Sequence, residues 1–277
     1  MKNVKLKSKG LDNKSEFYLY KRGFQKQVSA IWALVFKEYK IRLGKSRIGL
    51  FWSLFEPIVG MSIITAVWWA SGRTSIRGVH VTLFVGCGFI VFNTVRNGFG
   101  YLAHAIQANM ALLNYPQVKP LDTILARFIT AMFMHAWASV LLILLVWWLF
   151  GAVPDFPDPL LCVEVILISM LFAMGIATPL AVLGTLNENI FKVVGIVTSP
   201  LMIISGVIFS ILDLPANIQT VLAYNPIIHL TNGFRAGALG VPLFADSDLS
   251  YPLEWAVIGL GIGYALYFKY RFKLLQS

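Results

Sequence analysis

The sequence predicts an all-α integral membrane protein. Six transmembrane helices follow an N-terminal amphipathic interfacial helix, and short re-entrant helices lie between the fifth and sixth spans. Three observations predict this. Only 13% of the 277 residues are charged and 57% are hydrophobic, against about 25% charged in a soluble domain. Six apolar runs approach the roughly 20 residues that a helix needs to cross a bilayer. Thirteen of the 23 lysines and arginines precede the first of those runs, so the positive charge sits beside the apolar blocks and not along them.

In chain order, residues 1–27 read as a basic cytoplasmic segment, polar and without the apolar core of a signal peptide. Residues 28–47 predict an amphipathic helix on the cytoplasmic leaflet. Val28, Ile31, Trp32, Val35, Phe36, Tyr39 and Leu43 recur at helical steps, while Lys26, Lys37 and Lys40 share the opposite face. Residues 48–277 form the transmembrane domain, with spans near 50–70, 81–102, 124–150, 160–184, 190–212 and 252–268. Lys119 and Arg127 flank the loop between the second and third spans, Lys192 starts the fifth, and Lys269, Arg271 and Lys273 follow the sixth. By the positive-inside rule both termini are cytoplasmic, which an even number of spans requires. Trp68 and Trp69, and Trp147 and Trp148, end the first and third spans as an outer aromatic belt.

The segment 213–250 is too apolar for a solvated loop and too interrupted by Pro215, Pro226 and Pro242 for a span. Irregular backbone at membrane depth is tolerated where protein or a wet cavity covers it. Two short helices dipping back into the outer face satisfy that condition. An external loop with interfacial helices is the other arrangement.

The net charge of +10 invites a nucleic-acid reading, but the charges do not interleave with aromatics along a soluble face. Cys87 and Cys162 both lie inside apolar runs and make neither a disulfide framework nor a metal spacing. No catalytic constellation is present. Gly44-Lys45-Ser46 resembles the end of a phosphate loop, but Tyr39 stands where its first glycine is required. Uphill transport by this chain therefore needs an outside source of energy. The second span carries a polar stripe, Asn93, Arg96, Asn97, Tyr101 and His104, spaced to share one helix face. Polar groups at that depth line a wet conduit or bond between helices. His80, His135 and His229 stand alone and carry no signal.

The segment EYKIRLGKSRIGLFWSLFEP at 38–57 resembles the N-terminal signature of bacterial capsular polysaccharide export permeases, the KpsM type of ABC-2 transporter. IQANMALLNYPQVKPLDTILAR at 106–127 is similar to that family's first cytoplasmic loop, and NPIIH at 225–229 to its late motif. The resemblance implies a homodimer in the inner membrane, paired with two copies of a separate ABC ATPase subunit. That partner uses ATP and Mg2+, so this chain is no enzyme and binds no cofactor directly. It also implies a lipid-linked polysaccharide substrate, a periplasmic adaptor or co-polymerase, and an outer-membrane polysaccharide exporter. ATPase coupling then falls to Lys37 and Lys40 on the interfacial helix, and to Asn109, Asn114, Tyr115, Lys119, Pro120 and Asp122 in the loop. Glu188 joins them, although Asn187-Glu188 stands where many relatives have Arg-Asp. The glycolipid head is expected to enter near Arg42, Lys45 and Arg47, and Phe51 and Trp52 are expected to line the conduit with the polar stripe. The alternatives are an ABC-2 permease for O-antigen or another glycolipid, and an ion-coupled glycan flippase. A flippase normally shows buried acids along several spans, and here only Glu164 is a candidate.

Cysteines placed one at a time near residue 20 and near residue 272 should be blocked by a membrane-permeant thiol reagent and spared by an impermeant one added outside. Labelling of either from the outside removes the even-span topology.

Overall fold

The computed structural model describes residues 13–44, 47–113, 115 and 118–274, with side chains from 21–41, 58–113, 115 and 118–274. Among these residues the chain forms α1 (Asn13–Gly44), α2 (Arg47–Ala70), a hairpin of β1 (Ser75–Ile76) and β2 (Val79–His80), and α3 (Val81–Asn97). It continues through α4 (Met110–Leu113), α5 (Pro120–Phe150), α6 (Pro159–Leu186) and α7 (Asn189–Ile204). α8 (Ala216–Leu222), α9 (Pro226–Leu239) and α10 (Ser250–Leu274) complete it.

Helix boundaries follow local chemistry. α5, α6 and α9 all begin with proline at their first position, where its missing N–H costs nothing. Asp158 Oδ1 accepts from Leu161 N at 3.0 Å, and Asn225 Oδ1 accepts from Ile227 N at 3.0 Å, so both are side-chain caps. The hairpin turns on Arg77 and Gly78, both at positive φ (53° and 79°), which suits the twist of a two-residue connection.

Among the described residues three stretches are long and apolar enough to cross a membrane: Val81–Leu102, Pro120–Phe150 and Pro159–Leu186. Ile58–Ala70 and Asn189–Ile204 are shorter apolar helices. One end of the bundle carries α1, the 103–119 loop and the turn before α7. The other carries the β-hairpin, the α5–α6 connection and the chain from 205 to 249.

α6 is the hub. Its carbonyl at Gly175 has no i+4 N–H to accept, because Pro179 supplies none. A Cβ at Gly259 of α10 would stand 2.6 Å from that oxygen, so only glycine lets the two backbones approach this closely. Gly175 also meets Ala256, and Gly263 meets Thr178, so α6 and α10 run parallel. That register starts α10 about two turns inside the start of α6.

Several boundaries differ from the sequence expectation. α1 is a single helix from residue 13 and shows no break at the expected 27/28 division. Nothing there but Gly23 opposes helix, and one glycine is tolerated. The run expected as a span over 190–212 is helical only to Ile204. Its 16 residues rise about 24 Å, less than a bilayer core of roughly 30 Å. The helix stops because the chain turns at Ser205 and Gly206, the latter at φ 69°. The apolar residues that follow, Val207 and Ile211 among them, are buried in a turn and a 3-10 segment.

α9 packs against α3 and α6 with nearly all its side chains buried. Arg235 fastens it. Its guanidinium donates to the carbonyls of Phe84 (3.0 Å), Gly206 (2.6 Å) and Val207 (2.7 Å) and lies 3.6 Å from the Phe84 ring centroid. Gly88 leaves room for it, since a Cβ there would meet Nη2 at 2.6 Å. Arg235→Met strips these buried carbonyls of their donor, at about 1–3 kcal/mol for each one left unsatisfied. The detergent-purified protein should melt at a lower temperature, and Arg235→Lys should recover part of the loss, because an ammonium cannot fork. An unchanged melting temperature for the methionine variant contradicts this role.

Candidate functional site

Two neighbouring features at the α1 end carry the chemistry. The first is a cleft of about 760 Å3 between α1, α3 and α5. α1 contributes Trp32, Val35, Phe36 and Tyr39, and α5 contributes Thr130, Phe133, His135, Trp137 and Ser139. α3 and the turn after it supply Asn93, Arg96, Asn97, Gly100 and Tyr101. Four of the five stripe residues thus share one wall, as steps of three and four dictate. Asn97 Nδ2 donates to Asn93 O at 2.6 Å, which fixes one amide against its own helix. Arg96 is the exposed member. His104 does not join them. A π-helical turn at Gly98–Leu102 ends the α-helical register, and the chain then bends away. The His104 ring stacks on Phe191 of α7 with centroids 3.8 Å apart.

The second feature is a buried polar knot beneath the cleft. Arg127 Nε lies 3.2 Å from Glu38 Oε1, in ion-pair range but off the hydrogen-bond angle, with side chains only 10% and 5% exposed. Asn109 Nδ2 donates to Glu38 Oε1 and the Tyr101 hydroxyl donates to Glu38 Oε2, each at 3.0 Å. Arg127 Nη1 donates to Tyr101 O at 2.7 Å, and Lys37 Nζ to Asn109 Oδ1 at 2.6 Å. Burial pushes the Glu38 carboxyl up, but the Arg127 charge and the bonds from Asn109 and Tyr101 outweigh it and hold it below its ordinary value. Glu38 therefore stays ionised, and three separate stretches of chain converge on it.

Other residues expected to couple to an ATPase lie at the same end of the molecule. Asp122 accepts from Gln27 Nε2 of α1 at 2.9 Å and from Lys119 N at 3.0 Å, so it ties α1 to α5 while closing the start of α5. Pro120 is buried as the first residue of that helix. Gln107 Nε2 donates to Glu188 at 2.6 Å and joins the loop to the turn before α7. Lys40 and Tyr115 are exposed. Arg42, Arg47, Phe51 and Trp52 belong to α1 and α2, but their side chains lie outside the described residues, as do Lys45 and Asn114 altogether. Among the described residues no cluster of His, Cys, Asp or Glu could hold a metal ion.

The model of the ABC-2 type transporter family matches residues 29–239, which takes in the cleft and the knot. The chain belongs to the ABC-2 type transporter family. It is similar to the polysialic acid transport protein KpsM of Escherichia coli, 28% identical over 258 residues covering 92% of this chain and 98% of that one. It is also similar to the capsule polysaccharide export inner-membrane protein BexB of Haemophilus influenzae, at 27% over 249 residues (88% and 92%). The corresponding protein CtrC of Neisseria meningitidis serogroup A is 27% identical over 236 residues (84% and 85%).

Within this ABC-2 transporter, sequence reasoning overlooked Glu38 and Arg127 as a pair and α5 as a wall of the cleft. The α5 signal was present: Thr130, Phe133, Met134, Trp137 and Leu141 recur at helical steps among apolar residues that hide the pattern. Removing one partner of a buried ion pair costs about 3–5 kcal/mol, so Glu38→Ala should release α1, read as faster proteolysis within residues 21–41. Because the Glu38 carboxyl is held low, its stabilisation is complete above about 4.5, its ordinary value, and is lost as pH falls through the lowered value. The same proteolysis should therefore quicken on acidification below that point in the unmodified protein and change little in Glu38→Ala.

Proposed function

We propose that this chain is the membrane permease of an ATP-driven exporter of lipid-linked capsular polysaccharide in the bacterial inner membrane. The near full-length likeness to three proteins named for polysialic acid or capsule polysaccharide transport carries this reading. The cleft suits such a polymer. Aromatic side chains on α1 and α5 can stack on sugar rings, while Asn93, Asn97 and the Arg96 guanidinium can bond hydroxyl and carboxylate groups.

The chain traverses the membrane six times, through α2, α3, α5, α6, α7 and α10, with both termini in the cytoplasm. The segment 205–249 completes the fifth crossing and dips back into the outer leaflet, in keeping with an α7 that ends short of that face and an α10 that starts inside the bundle. Two copies assemble around a common path. In a single chain the α5 wall is open, with Phe133 56% and Trp137 67% exposed, and a second copy would cover it.

The motor is a separate ATPase in two copies, which binds ATP and Mg2+. Its closure presses on α1 at Lys37 and Lys40 and on the 109–122 loop, where Asn109, Asn114, Tyr115, Lys119, Pro120 and Asp122 lie, with Glu188 beside them. The two halves then shift as near-rigid bodies and open the path. The glycolipid head enters near Arg42, Lys45 and Arg47, and Phe51 and Trp52 extend the lining. A periplasmic adaptor and an outer-membrane exporter receive the polymer.

Arg96→Glu replaces the cation of the cleft wall with an anion. It should abolish surface capsule, scored by immunostaining, while permease and ATPase still co-purify in wild-type amounts. Normal surface capsule in that variant refutes the lining role.

A further inference from the structure

Tyr101 is the only side chain of the polar stripe that also belongs to the knot. Its hydroxyl donates to Glu38 of α1 at 3.0 Å, its carbonyl accepts from Arg127 of α5 at 2.7 Å, and its ring lies 4.5 Å beneath the Arg127 guanidinium. The same residue lines the cleft. It also sits in the π turn at Gly98–Leu102, a local break in α-helical register of the kind at which helices bend. The two glycines of that turn have opposite surroundings. Gly98 is pressed against the Ala173 backbone of α6, so close that a Cβ would collide, whereas nothing lies within 4 Å of a Cβ at Gly100. The turn is therefore anchored on its α6 side and has space on its cleft side.

We propose that Tyr101 is a positioning residue: through its phenol, displacement of α1 is passed to the π turn, which re-tilts the polar stripe and changes the width of the cleft. This deepens the ATP-driven reading and rests on it. Glu38, Arg127 and Asn109 hold α1 to α5 and to the loop, but Tyr101 is the knot residue that lies on the cleft wall. Without its hydroxyl, Glu38 and Arg127 still join α1 to α5, and the turn keeps its carbonyl bond to Arg127 but loses its direct tie to α1.

The test uses the whole exporter, permease with its ATPase, in lipid nanodiscs. Cys87 and Cys162 are replaced by alanine, and spin labels are placed at Asn93→Cys on the stripe and Phe133→Cys on α5, both of which line the cleft. Distances are measured by pulsed electron resonance without nucleotide and after vanadate trapping. With tyrosine at 101, trapping should shift the distance distribution. With Tyr101→Phe the resting distribution should persist in both states and ATP hydrolysis should continue, and in cells that carry the variant surface polymer should fall roughly ten-fold or more, as loss of a hydrogen bond to a charged group implies. A Tyr101→Phe distribution that shifts as in the parent overturns the proposal. So does a Tyr101→Phe permease that no longer assembles with its ATPase, since the hydroxyl would then be a folding contact. A parent that shows no response to nucleotide overturns the ATP-driven reading itself.

Discussion

The contact between Glu38 and Arg127 decides how the N-terminal helix belongs to the rest of the molecule. Two opposite charges 3.2 Å apart and nearly sealed from water carry a large desolvation cost, which their attraction offsets only if their remaining hydrogen-bonding groups find partners. Asn109 and Tyr101 supply those partners on the acid, and the Tyr101 carbonyl supplies one on the guanidinium. Apolar packing contributes less, because among the described side chains of α1 Leu34 and Val35 are the buried hydrophobes while Trp32, Phe36 and Tyr39 are exposed and line the cleft. The attachment is thus directional. It fixes the angle of α1 as well as its place.

The opposite end of the bundle obeys a different rule. Irregular backbone in apolar surroundings must find donors and acceptors within the protein, and side chains from α9 provide them. Arg235 satisfies carbonyls at the end of α7. His229 bonds Ala223 O at 2.7 Å through Nε2 and accepts from Asp248 N at 3.0 Å through Nδ1, which fixes its neutral tautomer. Asn232 accepts from Phe244 N at 3.2 Å, and Asn225 donates to Ser205 Oγ at 3.0 Å. Each of these binds a turn that has no regular structure of its own.

This division explains what the sequence disclosed. α5 and α6 were legible because long, charge-poor runs are bounded by Lys119-Pro120, Gly151 and Asp158-Pro159, whose chemistry is local. The end of α7 was hidden, since Val207, Ile208 and Ile211 continue the hydropathy of a span whether they face lipid or fill a buried turn. Asn93, Arg96, Asn97 and Tyr101 share one wall as their spacing predicted, and His104 departs from it, because a period of 3.6 cannot be carried through a π turn. Arg235 and His229 gave no warning, because what they bind is backbone, and backbone acceptors have no sequence signature. Glu38 and Arg127 lie far apart in the chain, and no periodicity pairs them.

The two ends also differ in how they can respond to force. At the hairpin end most of the bonds run from side chains to backbone, spread over α3, α7, α9 and α10, and the exposed Arg77–Asp213 ion pair at 2.7 Å adds to them, so these elements are held together at many points. At the α1 end a few side-chain bonds join helices that otherwise meet around an open cleft. A push at the hairpin end would have to break many independent bonds together. A push on α1 needs only to turn one knot, and the cleft lies directly above it. This contrast supports the proposal that the chain is driven from the α1 side, with α9 as the fixed point of the motion.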